Sequence, residues 1–245
     1  MKKLSYDFHL HSCLSPCGSE EMTPANMAGM AGIIGLDAIA LTDHNTCRNC
    51  PALVHEALKY GISVICGMEL CTVEEVHVLC LFPDLEKALL FDDFIYNQAL
   101  PDIKNMPDFF GRQIIYNEGD EPAGELDKML IGATDIPFLE ADGLVRSYGG
   151  VTAPAHIDKK SNSLFTNLGF VPEGSTFKIA EFHNMANKDS YIKRFPYLEN
   201  CHFLTSSDAH QLEHINEPVN FIEAEENTAA AIFETLKKWS VTSDR

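Results

Sequence analysis

Positive charge is what this 245-residue sequence has least of: 18 Lys and Arg stand against 36 Asp and Glu, a formal net charge of -18. Proteins that coat nucleic acid or an anionic membrane rest on a basic footprint. The balance therefore predicts no nucleic-acid polymer and no membrane surface among the partners. Long hydrophobic runs are missing as well. No window approaches the roughly 20 apolar residues that cross a bilayer, and Met1-Lys2-Lys3-Leu4-Ser5-Tyr6-Asp7 reaches charge too early for a secretory leader. A cytoplasmic protein is expected. Internal repeats and low-complexity tracts are also lacking, and 45% hydrophobic with 22% charged residues excludes wholesale disorder. The expectation is a single domain over 1–245, since α/β barrels often reach this length as one unit.

The first third alternates strand-like and helix-like runs. Residues 4–11 read as a short strand and 12–20 as a loop. Thr23-Pro24 has the form of an N-cap followed by Pro at the first helical position, opening a helix to about Ile34 that Gly35 ends. Residues 38–42 and 62–66 are continuous apolar runs, the mark of strands buried on both faces. Residues 76–82 form a fourth strand, ended by Pro83. This succession predicts an α/β fold with parallel strands and right-handed crossovers. Reactive groups then gather at the carboxyl ends of the strands. Residues 84–148 read as a helical elaboration, with helices at 85–100, 124–133 and 136–148. The strand pattern resumes at 150–156, 178–184, 202–208 and 221–224, before a C-terminal helix over 227–239.

Titratable residues sit where these runs end. In Asp7-Phe8-His9-Leu10-His11 two imidazoles stand at i and i+2, and on a strand that spacing points both to one face, roughly 6 to 7 Å apart. One metal ion can be gripped by both. Alone the pair is a weak signal, but Asp43-His44, Glu69, His77, His156 and Asp208-x-His210 follow in other segments. Imidazole and carboxylate together suit Zn, Mn or Fe. A carboxylate shared by two ions holds them about 3.5 to 4 Å apart, and a bridging water that loses its proton near neutral pH becomes a nucleophile. Asp7 and Asp43 stand beside these residues and are expected to orient imidazole N–H groups.

Taken in order, Asp7-x-His9-x-His11, Thr42-Asp43-His44, Gly67-x-Glu69, His77, Pro154-Ala155-His156 and Ser207-Asp208-x-His210 resemble the PHP family, the polymerase and histidinol phosphatase domain superfamily. The resemblance implies a distorted (β/α)7 barrel with two or three divalent ions at the strand carboxyl ends, and phosphoester hydrolysis. It assigns His9, His11, Glu69 and Asp208 to one metal, with Glu69 bridging to a second held by His77 and His156. A third would take His44, His210 and a loop residue that is commonly Asp or His before Gly in relatives. Here Cys17 precedes Gly18, a departure that leaves the third site and its metal open. Glu69, Asp208 and His210 are the candidate catalytic residues, the last two for the leaving oxygen.

Two further groups complete the reading. Lys159 and Arg48 are the cations chosen to meet a phosphate, with His183 and Asn184 at the end of a strand-like run as further substrate contacts. Cys13-x3-Cys17 and Cys47-x2-Cys50 follow the first two strands, so four thiols could share one end of the fold, as separate thiols or as a zinc or iron-sulfur site. Cys66, Cys71, Cys80 and Cys201 sit in apolar contexts and read as packing residues. The function expected is a metal-dependent phosphoesterase acting on a small phosphorylated metabolite, a nucleotide or sugar phosphate. Two alternatives stand beside it: a metallohydrolase of a C–N or C–O bond, and a non-catalytic metal or redox sensor built on the loop cysteines.

Overall fold

The apolar runs become strands wherever both of their faces can be covered. The computed structural model describes residues 1–241. Its strands are β1 (Lys2–Leu10), β2 (Ala38–Leu41), β3 (Ser63–Cys71), β4 (His77–Phe82), β5 (Ile114–Tyr116), β6 (Pro122–Glu125), β7 (Val151–Pro154), β8 (Ile179–Glu181), β9 (His202–Leu204) and β10 (Phe221–Ala224). Six of them form one sheet in the order β10-β1-β2-β3-β4-β7. The strands β1, β2 and β3 are parallel, as their alternation with helices predicts. β4 is antiparallel to β3, with Cys71 opposite His77. The turn between them is too short for the dozen or more residues of a parallel crossover. β7 is antiparallel to β4 and so runs with β3. His77 at the start of β4 therefore lies at the same end of the sheet as the carboxyl ends of β1, β3 and β7.

The barrel expectation holds in its coarser form, a mixed α/β fold with a curled sheet. β8 and β9 form a separate parallel pair. That pair is tied to its neighbours by single contacts: Ile157 N to Glu181 O at 2.8 Å, Phe8 N to Ser206 Oγ at 3.3 Å, and a bridge between Leu10 and Ala209. One apolar cluster contains Phe8, Ile65, Leu79, Ala153 and Leu204 and extends to Phe233 and Leu236 near the C-terminus. A second contains Met27, Ile39, Leu53 and Phe91. Burying a side chain such as Phe8 contributes about 2 to 3 kcal/mol.

The helices are α1 (Pro24–Ile34), α2 (Cys50–Ala57), α3 (Leu85–Phe94), α4 (Pro107–Phe110), α5 (Phe138–Ser147), α6 (Leu164–Asn167), α7 (Lys188–Arg194) and α8 (Ala229–Val241). α1 starts and stops as its sequence predicts. Thr23 Oγ1 accepts from Asn26 N, and Gly35, at φ 87, donates its N–H to Ala31 O. The helix expected over 124–133 is absent. Residues 122–125 pair with β5 instead, and the Gln113 side chain takes up Leu126 O, Lys128 O and Leu130 N. Backbone groups that a helix would have used are committed elsewhere. This arm is fastened to the loops near the strand ends: Asn49 bonds Ile114 O and Tyr116 N, and Asn45 bonds Leu130 O and Gly132 O. Among the described residues no helix is long and apolar enough to cross a membrane.

Candidate metal centre

Five strands deliver side chains to one point. His9 lies in β1 and His11 directly after it; Glu69 lies in β3; His77 opens β4; His156 follows β7, and Asp208 and His210 follow β9. His156 and Asp208 adopt φ values of 29 and 55, a left-handed conformation that non-glycine residues rarely adopt and that aims their side chains inward. His9, His11, Glu69, His44, His77 and His156 are all buried, and Asp208 is nearly so.

Glu69 is the hub. Its Oε1 lies 2.9 Å from His77 Nδ1, 2.9 Å from His156 Nε2 and 3.3 Å from His9 Nε2. Its Oε2 lies 3.1 Å from His44 Nδ1 and 3.3 Å from His11 Nε2. Asp208 Oδ1 stands 3.3 Å from both His9 Nε2 and His11 Nε2, which are themselves 3.1 Å apart. Three sets of ligand atoms fall within 4.8 Å: His9, His11 and Asp208; His44, Glu69 and His77; His11, His44 and His210. These sets differ from the expected partition: His11 and His44 each serve two, Glu69 falls outside the set of His9, His11 and Asp208, and His44 stands where His156 was expected beside Glu69 and His77.

The electrostatics ask for cations. Burial alone would lower the His9 pKa, but Glu181, Asp208 and Glu69 raise it well above the ordinary value. Burial alone would raise Glu69, yet His77, His9 and their neighbours hold it well below the carboxylate range; Asp208 is likewise held low, against burial, by His9 and His11. His210 is pushed down to about 3 by burial and by His11, so its ring is neutral at pH 7, the form that binds a metal. Buried atoms fit such a group: among the described residues His44 Nδ1, His77 Nδ1 and Asp208 Oδ1 lie within ion-pair range of their neighbours but form no aligned hydrogen bond, a cost that coordination of an ion would remove.

The supporting carboxylates differ from expectation. Neither Asp7 nor Asp43 bonds an imidazole directly. Asp7 accepts from Ser207 N at 3.0 Å and Asn216 N at 3.1 Å, which anchors the segment carrying Asp208. Asp43 accepts from Ser12 N, Ser12 Oγ and Ser15 Oγ, and it is Ser15 Oγ that meets His11 Nδ1 at 3.0 Å. Both lie at the base of loops, where backbone N–H groups compete for the oxygens. The carboxylate that does reach an imidazole is Glu181, 2.9 Å from His9 Nδ1. Sequence reasoning passed it over in favour of His183 and Asn184, although it closes the same run.

A cavity of about 150 Å³ opens over the centre, lined by His44, Glu69, His77, His156, Lys159, Ser161, Asn162, Asp208 and His210. Lys159 points into it and pairs with Asp208. Arg48 does not line it, because its guanidinium is held by Asp92 and Asp93. His183 and Asn184 do not line it either; their backbone N–H groups donate to Asp158. Cys17 is exposed and belongs to none of the three ligand sets. The four loop thiols do not assemble: Cys47 and Cys50 are buried, share the Gly67 carbonyl and neighbour Cys66, on the core side of the loop that leads into α2.

The PHP domain model matches residues 7–135, more than half of the chain, and the chain belongs to the PHP domain family. An uncharacterized protein of Methanocaldococcus jannaschii is 32% identical over 94 residues, 34% of this chain and 54% of that protein. The chain thus matches about half the length of this curated relative. A lesion-specific endonuclease from Pyrococcus furiosus is similar in structure, with a TM-score of 0.69 and 19% identity over 97% of this chain and 56% of that one. A candidate metal-dependent phosphoesterase from Bifidobacterium adolescentis gives 0.53 and 16% over 95% and 94%. A further structure, Endonuclease Q with a 27-mer duplex carrying an abasic lesion at its active site, gives 0.63 and 18% over 97% of this chain and 57% of that one. This corrects the expectation drawn from net charge. A fold of this kind does meet a nucleic-acid polymer, and an average over the whole sequence says little about the field at one cavity mouth.

Proposed function

We propose that the chain is a metal-dependent phosphoesterase. The observation that carries this reading is the single carboxylate, Glu69, ringed by nitrogens of five imidazoles at 2.9 to 3.3 Å. His9, His11, Glu69 and Asp208 would hold one ion, Glu69, His77 and His156 a second, and His44, His210 and Cys17 a third. Zinc, manganese or iron suits this donor set. Such ions, when bound, supply an activated water and offset charge that builds on a phosphoryl group.

The chain's own residues do the rest. Glu69 would keep the two ligand sets in register, and Asp208 and His210 would serve the leaving oxygen. Among the described residues Lys159 is the only Lys or Arg lining the cavity, and its ammonium would meet a phosphate oxygen. One cation and a modest cavity suit a small phosphorylated metabolite, a nucleotide or sugar phosphate, as substrate. All eight cysteines are unpaired, which fits a cytoplasmic, reducing compartment.

The test is metal analysis of the purified chain, followed by phosphate-release assays with manganese or zinc. The panel holds nucleotide monophosphates, sugar phosphates, a phosphodiester and a duplex with an abasic site. Release from the small monoesters is expected. Cleavage of the lesion duplex alone would move the substrate to nucleic acid, and turnover of amides in place of every ester would sink the phosphoesterase reading.

A further inference from the structure

Glu181 ends β8 and is buried. Its Oε2 receives two bonds of different kinds: His9 Nδ1 at 2.9 Å and the backbone N–H of His156 at 3.0 Å. Its backbone carbonyl accepts from Ile157 N at 2.8 Å. One residue therefore touches both sides of the Glu69 hub, through a ring on β1 and through the chain just beyond β7.

Each bond has a separate consequence. A neutral imidazole carries one proton, and a carboxylate at Nδ1 draws it there, leaving the Nε2 lone pair aimed at Glu69, Asp208 and His11. With the proton on Nε2 instead, the ring would donate to a carboxylate and could not take a metal. His156 has the opposite problem, a backbone at φ 29 that needs outside bonds to persist. The Glu181 side chain and carbonyl supply them on consecutive residues.

We propose that Glu181 is a positioning residue that prepares both sides of the centre at once, setting the His9 tautomer and holding the His156 backbone. Ions on either side of Glu69 then depend on one carboxylate that touches neither. This rests on the reading of the cluster as a metal centre.

The experiment uses the full chain stripped by a chelator and titrated with zinc against a chromophoric competitor. Glu181→Gln keeps shape and an acceptor oxygen but loses the charge. Both binding steps are expected to weaken, by roughly 10- to 100-fold, with the unfolding midpoint of the metal-free chain little changed. His77→Ala, the control, should weaken one step only. Imidazole nitrogen NMR of the metal-free chain, taken to alkaline pH where the His9 ring is neutral, should show a single Nδ1–H form, replaced in Glu181→Gln by a mixture, since an amide can accept or donate. Should Glu181→Gln fail to fold, Glu181→Asp takes its place with the same expectation, because the shortened carboxylate cannot reach His9 and His156 together. Unchanged zinc affinity in the variant, or loss at one step alone, overturns the inference and leaves the proposed function standing. A wild-type chain that takes up no zinc overturns both.

Discussion

Two buried acids in this molecule, Glu69 and Asp142, sit in opposite circumstances. Asp142 accepts from Arg146 Nε at 2.8 Å, Thr152 Oγ1 at 2.6 Å and Thr176 Oγ1 at 2.5 Å. Its needs are met by the protein, and it ties α5 to β7. Glu69 is crowded by five imidazoles, and yet among the described residues His44 Nδ1, His77 Nδ1 and Asp208 Oδ1 around it form no aligned hydrogen bond. Buried polar atoms without partners are costly. A fully partnered acid is part of the scaffold; an acid whose neighbours form no aligned hydrogen bonds has the surroundings that a ligand site requires.

The strongest way to break this contrast is Glu69→Gln. Phosphate release should fall by roughly 100- to 1000-fold or more while the chain stays folded, as circular dichroism would show; full activity would end the shared-carboxylate reading. Chelation comes next. A metal at 100 times its dissociation constant stabilises by about 2.7 kcal/mol, so stripping it should lower the thermal midpoint reversibly.

Asp142→Asn should do the reverse of Glu69→Gln, costing about 1 to 3 kcal/mol in denaturant unfolding without altering metal uptake. Its pH signature is equally specific. Burial would raise the Asp142 pKa, but the bonds from Arg146, Thr152 and Thr176 lower it below the ordinary 3.8. A carboxylate depressed in the folded state contributes stability above its unfolded value, and that contribution is lost as pH falls through the folded one. Acid titration below about pH 4 should therefore destabilise wild type more steeply than Asp142→Asn. The smallest effect is reserved for Cys17→Ser, which should lower the affinity for a third ion and leave phosphate release nearly unchanged. Equal metal content in both proteins would remove Cys17 from the centre.

Much of this site was legible because each candidate ligand closes or opens an apolar run, and a strand end is a place a sequence can mark. Where reading failed, a long-range partner had intervened. Arg48 looked free for phosphate until Asp92 and Asp93, from α3, took it. Residues 124–133 looked helical until Gln113 claimed their backbone groups. The spacing of Cys47 and Cys50 suggested a loop site, but α2 begins at Cys50 and both thiols turn inward to the Gly67 carbonyl of β3. Glu181 was missed for a related reason: its significance lies wholly in what β1 and the segment after β7 place beside it. The parallel order of β1, β2 and β3 is readable from alternation; the reversal at β4 follows from a turn too short for a parallel crossover.

The hairpin of β3 and β4 also bears on the order in which the centre can be assembled. Glu69 and His77 are joined by a short local turn and can meet as soon as that hairpin forms. Asp208 reaches His9 only when the segment after β9 closes onto β1, a closure fastened by Asp7 across 200 residues of chain at Ser207. Loop closure over such distances is slow compared with a hairpin. A chain emerging from the ribosome would thus bring two side chains of the cluster together early and the full set only at the end, so that the cluster is completed late in folding.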